Sequence, residues 1–435
     1  MAKITLDPSR AVGSIKPMHA VGQGPIGGLG RDMFKNFHYL SEAGIPYSRL
    51  HDVGGPYGSN RFVDVPNIFR DFDADEQDKN NYDFAFTDAL ISALVENGVE
   101  PYYRLGVTIE NNAAIKAYRT SPPRDPAKWA RICEKIVAHY IDGWADGFHH
   151  KITYWEIWNE PEYGKDLYPD VPQMFDGCPE EYFRLYEITS KHLKSVFGDR
   201  IKVGGYAAMD VKPVLDPDYH SENVKYKYLG EFMNAFFAHV KKTGAPLDFF
   251  SWHSYREAAK TVPTAYGFRE YLDGLGFIKT ESHLNEWNPV HDLRGTARHS
   301  AQVAAIMLGM QKAPIDLLTL YDARLCGSVY AALFDPYTLK PFHAYYALVA
   351  FDRLYKLKTE VFCECDTEGL YAVAASDGKK RALMISNVSD HSQPLEIEGA
   401  DLSGARWHVI DQQRLLSWSP EVKKIEKNEV VLVEF

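Results

Sequence analysis

From about residue 14 to residue 355, apolar positions alternate between two periods. Short runs of β-branched and aromatic residues are followed by longer stretches with apolar residues three and four apart. The first pattern predicts buried strands and the second amphipathic helices. Strands are expected at 45–51, 100–105, 153–158, 201–205, 248–255, 283–287 and 317–321, with helices between or after them at 84–97, 125–146, 180–196, 225–243, 268–275, 296–311 and 341–354. The signals at the helix ends are physical: Gly98 follows the first helix as a stop, and Asp125-Pro126 opens the next with a capping carboxylate and a first-turn proline. With a first strand near 14–19, the count is eight βα units. Strict alternation implies a parallel sheet, and eight units in this length imply a closed (β/α)8 TIM barrel of the α/β class.

Past about residue 356 the pattern changes to short alternating segments at 370–375, 381–386, 395–397, 407–410 and 429–435, parted by polar turns. These predict a small C-terminal β-sandwich. Residues 3–6 have strand composition and precede the barrel, so they are expected to add a strand to it. The predicted organisation is a catalytic barrel over 14–355 and an accessory sandwich built from 1–13 and 356–435.

Composition narrows the partners. The 435 residues are 45% hydrophobic and 25% charged, with a formal net charge of −11. An acidic surface argues against nucleic acid and anionic membranes, and it disfavours a polyanionic substrate unless a local basic pocket intervenes. The N-terminal residues lack the apolar stretch of a secretory leader, and no apolar run reaches membrane-spanning length. The five cysteines are scattered and odd in number, unlike a disulfide framework. A cytoplasmic location is the expectation.

The candidate chemistry starts at Trp155-Glu156-Ile157-Trp158-Asn159-Glu160-Pro161. Pro161 cannot continue a ladder, so Glu160 stands at the end of a buried aromatic strand. Apolar surroundings disfavour a carboxylate's charged form, which suits a general acid. A bare Asn-Glu-Pro would fit a solvated strand end equally well; the aromatic strand in front favours chemistry. Barrel active sites lie at the C-terminal strand ends. Glu286 ends the seventh strand, 126 residues (286 − 160) after Glu160 on the fourth, and those strands face each other across the barrel mouth. Two opposed carboxylates suit glycoside cleavage. Glu281 competes with Glu286, but opposite parity on one strand would let only one face inward, and Glu286 is nearer the strand end. Arg49 and His51 share one parity, as do His253 and Tyr255. An Arg49–Glu156 pair would satisfy two buried charges. Taken singly, a buried His or Tyr is more often packing.

With these motifs in place, the chain resembles glycoside hydrolase family 39, a family of (β/α)8 retaining glycosidases. The likeness runs over roughly 14–355 and includes Arg49-Leu50-His51, the helix within 82–101, the 156–161 motif, Val203-Gly204-Gly205, Ser251-Trp252-His253-Ser254-Tyr255, Asn285-Glu286-Trp287-Asn288 and Lys340-Pro341-Phe342. The resemblance implies Glu160 as acid/base, Glu286 as nucleophile, Asn159 as holder of the hydroxyl next to the scissile carbon, and Tyr255 as the group orienting Glu286. His51 and His253 would contact sugar or the catalytic pair. The family usually carries a Trp on the last barrel strand as a stacking floor; this chain has none at 317–322, so Tyr321 or Trp287 would take that place.

The implied activity is exo-acting and β-xylosidase-like on an oligosaccharide or glycoside, without cofactor or metal; oligomeric state is left open. Related glycosidases acting on another sugar, and a non-catalytic sugar-binding protein on the same scaffold, are the alternatives. A metal-dependent hydrolase would use some of the 16 histidines, yet no His-x-His stands at the first strand and no His-Glu-x-x-His occurs. Loop aromatics Tyr57, Tyr118, Tyr163, Tyr168 and Phe175 are candidates to stack on sugar rings or to pack their own loops.

Overall fold

Strands buried at nearly every position need cover on both faces, and the fold supplies it. The computed structural model describes residues 2–27, 33–51, 63–108, 120–163, 174–216, 224–289, 291–326 and 328–435. After β1 (Ala2–Ser14), eight parallel strands close into a barrel: β2 (Ala20–Gly22), β3 (Tyr47–Leu50), β4 (Glu100–Leu105), β5 (Tyr154–Ile157), β6 (Lys202–Ala208), β7 (Phe249–Ser254), β8 (Glu281–Trp287) and β9 (Leu317–Leu320). The first barrel strand lies at Ala20–Gly22 and not at 14–19. Ile15 is still bonded through its N–H to Lys358 O, and Pro17 has no N–H for a ladder. The helix Pro126–Asp142 shows how sequence sets an outer element: Asp125 accepts the N–H groups of Ala127 and Lys128, and Gly143 ends the helix at φ 76.

Side chains of one parity fill the barrel in layers. The floor is aromatic: Tyr102 stacks on Tyr154 at 5.2 Å and both pack with Phe249 and Leu317. Glu281 closes this floor on Lys202, 3.1 Å from His283. Burial pushes its carboxyl up, but His283 and Lys202 together bring it down to about 2. Two residues further along each strand the layer turns polar, with Arg49, Glu156, Ser251 and Asn285. The mouth follows above.

The remaining strands are β10 (Thr359–Cys365), β11 (Leu370–Ser376), β12 (Arg381–Asn387), β13 (Gln393–Glu398), β14 (Arg406–Ile410), β15 (Ser417–Ser419), β16 (Lys424–Ile425) and β17 (Val430–Glu434). With β1 they form one nine-stranded mixed sheet in the order β15-β14-β17-β12-β11-β10-β1-β13-β16. Period-two alternation gives it two apolar faces. Leu383, Ile385, Val431 and Val433 enclose the sheet's own core with Ile4 and Leu6. Met384, Val430 and Leu432 join the barrel core from the other face. Among the described residues no helix is long and apolar enough to cross a membrane.

Candidate active site

Glu160 sits just past β5 at φ +43, and Trp158 before it at φ +72. Left-handed backbone costs a non-glycine residue about 1–2 kcal/mol, so surrounding contacts must impose it. They are present: the Trp158 indole donates to Met174 O at 2.7 Å, and the Glu160 N–H reaches the carbonyls of Tyr206 and Ala207 at 3.2 Å. Glu160 is held with only 8% of its surface exposed. Its Oε1 lies 2.7 Å from His253 Nδ1.

Glu286 reaches the same place from β8. Tyr255 donates its hydroxyl to Oε1, Arg49 Nη1 lies 3.2 Å from Oε2, and His253 Nε2 lies 3.6 Å from that same oxygen. Burial drives the Glu286 carboxyl upward; His253, Arg49 and Tyr255 pull back and the charge of Glu160 adds to the rise. The Tyr255 phenol is pushed well up by burial and by Glu286, so it keeps the proton it donates.

The parity argument against Glu281 fails, for a reason visible in the ladder. Trp252 pairs with Leu284, but His253 pairs with Glu286, so β8 carries one extra residue at Asn285. A bulge of this kind re-aims the side chains beyond it. Glu281, His283 and Asn285 therefore face the interior on one parity, and Glu286 turns inward on the other. Both glutamates are inside the barrel, at opposite ends; distance along the axis separates them, not the pleat.

Arg49 binds the two halves together. It is 1% exposed, with Nε 2.8 Å and Nη2 2.7 Å from Glu156 Oε2, and Nη2 also donates to Asn159 Oδ1 at 2.6 Å. Glu156 Oε1 accepts from Ser251 Oγ at 2.6 Å and from Asn285 Nδ2. Burial works against the guanidinium's charge, but Glu156 and Glu286 outweigh it and hold Arg49 firmly protonated. Replacing Arg49 with Met should therefore cost about 3–5 kcal/mol of stability, because it strands a buried carboxylate. Arg49→Met/Glu156→Gln should recover much of that. Urea unfolding would measure both; a loss below about 1 kcal/mol in the single variant would contradict this account.

Other expected residues divide into those at the pair and those away from it. His51 is buried at the end of β3, its N–H 3.3 Å from Gln23 Oε1 and its carbonyl accepting from Arg104. Tyr321 belongs to a cluster with Tyr255 and Tyr330, with ring centroids 5.2–6.5 Å apart, and accepts from Arg324 at 3.2 Å. Trp287 is fully buried in the main apolar cluster, so of the two stacking candidates only Tyr321 borders the tyrosine cluster beside the glutamates. Phe175 packs edge-on against Trp158 at 5.2 Å, and Tyr163 is tied by its N–H to Glu160 O at 2.9 Å. Tyr57, Tyr118 and Tyr168 lie outside the described residues.

Two neighbours of the pair escaped the sequence reading. Tyr330 feels both glutamates, which with burial raise its phenol; it lies in a loop beyond the last barrel strand, with no spacing signal to point to it. Glu162 was readable in principle, two positions after Glu160, but Pro161 marks the end of the strand pattern there.

Glu160, His253 and Glu286 each offer an atom within 4.8 Å of the others. A cation could bridge such a set, but Arg49 already supplies positive charge to Glu286 and His253 Nδ1 is engaged by Glu160. The donor set fits an acid–base pair with its own counter-ion better than a metal centre.

The family model described as "Glycosyl hydrolases family 39" matches residues 2–395. A beta-xylosidase of Geobacillus stearothermophilus is 24% identical over 319 residues, covering 66% of this chain and 56% of that protein's length. Among solved structures, a glucosidase from Croceicoccus marinus superposes with a TM-score of 0.77 at 19% identity, covering 100% of this chain and 98% of the other. A monomeric beta-xylosidase from Caulobacter crescentus CB15 gives 0.67 at 17% identity, with 100% and 99% covered. These two likenesses establish the fold.

Proposed function

Because the chain belongs to glycosyl hydrolases family 39, we propose that it is a retaining, exo-acting glycosidase with a β-xylosidase-like preference, working through a glycosyl-enzyme intermediate. The observation that carries this reading is the approach of the two carboxyl groups to within 4.8 Å. Retaining enzymes hold their carboxyls about 5–5.5 Å apart, whereas inverting ones leave about 6.5–9.5 Å for a water.

Glu286, oriented by Tyr255 and Arg49, attacks the anomeric carbon, while Glu160 protonates the leaving oxygen. Two carboxyls this close do not ionise independently, so the free site holds a proton on Glu160 while Glu286 is anionic. Once Glu286 is esterified its charge is gone. Glu160 then ionises more easily and takes a proton from water, whose oxygen displaces Glu286. Asn159 is fixed through Oδ1 by Arg49, and its Nδ2 is enclosed without a partner in the protein; it donates to the hydroxyl beside the reacting carbon. Tyr321 and Tyr330 line the glycone.

The stereochemistry decides the mechanism. Proton NMR of the first product formed from a 4-nitrophenyl β-glycoside should show the β-anomer before mutarotation; the α-anomer would end the retaining reading. Across a panel of nitrophenyl sugars, the β-xyloside is expected to be hydrolysed fastest. A second reading, a preference for another sugar such as a glucoside, is favoured by the lack of any Trp at 317–322 on the last barrel strand, and the same panel separates the two.

A further inference from the structure

Glu162 is a third carboxyl at this site, and the mechanism above gives it no task. It is 3% exposed. Its Oε1 accepts the N–H of Met209 at 2.7 Å, and Glu160 is tied by its own N–H to Tyr206 and Ala207. Both glutamates thus rest on the same stretch at the end of β6, with only Pro161 between them. Oε2 of Glu162 is enclosed and has no hydrogen-bond partner. None of the ion pairs among the described residues includes Glu162. A buried carboxylate without a counter-ion is costly, and two such groups side by side share a proton and a single negative charge. In accord with this, burial and then the charge of Glu160 push Glu162 well up, against the pull of the Met209 N–H.

The charged and titratable surroundings reinforce the coupling. Asp210 adds negative charge near Glu162, although Arg256 pairs with it at 3.2 Å. Tyr182 and Tyr206 face Glu162 as neutral phenols kept protonated by burial. Around Glu160 stand His253 and Glu286, with Lys225, Tyr163 and Tyr330 feeling its charge. Among the described residues no cation is paired with Glu162 to bring it down independently of Glu160.

We propose that Glu162 is a positioning residue that shares negative charge with Glu160, so that the acid/base residue keeps its proton to higher pH than it would alone. This inference rests on the reading of Glu160 as the acid/base. For a general acid, kcat/KM is lost as the acid ionises, so the upper apparent pKa of the coupled pair sets the basic limb of the pH profile. A negative charge nearby raises that limb; removing it lowers the limb.

The test uses the full chain with a 4-nitrophenyl glycoside. Glu162→Gln keeps an oxygen for the Met209 N–H and removes the ionisable group. Its basic limb should move to lower pH by about one unit, with a thermal melt near that of the parent. A folded variant whose limb does not move would reduce Glu162 to an anchor and overturn the proposal. Should Glu162→Gln fail to fold, carbon NMR titration of δ-labelled glutamates in the parent still decides, with Glu162→Asp for assignment: Glu160 and Glu162 must titrate as one coupled pair, each signal moving in two steps, and a Glu162 signal that moves in a single step independent of Glu160, or stays protonated through the whole Glu160 transition, overturns the proposal. In Glu160→Gln the Glu162 midpoint should fall, and a fixed midpoint would also overturn it. That midpoint is read without turnover, so it separates failure of this coupling from failure of the acid/base assignment.

Discussion

Glu286→Gly should lower kcat by at least ~10^4-fold on every glycoside tested, and added azide should restore turnover as a glycosyl azide of inverted configuration. The expectation follows from what the carboxylate is fixed to do. Tyr255 and Arg49 aim it, and Glu281, the other glutamate inside the same strand, is committed to Lys202 and His283 at the far end of the barrel. Removing the side chain leaves room for a small anion on the face opposite the leaving group. Glu160 can still protonate that group, so one displacement occurs instead of two. Full activity in the variant, or an azide product of retained configuration, would remove Glu286 from the role.

Glu160→Ala should behave in a way that depends on the leaving group. Substrates with unactivated alcohols should lose ~10^2–10^4-fold in kcat/KM, because they need a proton as the bond breaks. Dinitrophenyl glycosides should lose less than about tenfold, since their phenolates leave unaided. With those substrates the second step becomes limiting, so kcat and KM should fall together. Azide should then give the glycosyl azide of retained configuration, because it attacks the sugar-bound Glu286. A uniform loss over all leaving groups would argue that Glu160 is structural.

Much of this was readable from the chain, and the limits have identifiable causes. The strand at β4 was legible to its last residue, because Gly98 closes the helix before it and Gly106 follows it. The helix Pro126–Asp142 was announced by its cap and its proline. Both glutamates could be found because each ends an aromatic strand, and the Arg49–Glu156 pair because parity carried it. The bulge at Asn285 could not: it is an extra residue in the ladder with neither Gly nor Pro to mark it, so the pleat rule was applied across a point where it breaks. Tyr330 and Glu162 were missed because they approach from loops, where closeness in space has no period. The first barrel strand was misplaced because only residues 15–19 part β1 from β2, and the pairing partner alone decides which sheet each joins.

That pairing has a consequence for how the molecule comes into being. β1 lies inside the nine-stranded sheet, antiparallel to β10 and parallel to β13. A ribosome releases residues 2–14 long before their partners in β10, Ser14 and Thr359 being 345 residues apart (359 − 14). Until then β1 has unpaired edges on both sides, exposed to other chains while the barrel is being made. Lys3 and the break in register between Asp7 and Ala11 put charge and irregularity into that wait. β1 thus takes its place in the sheet only when β10 and β13 have both been made.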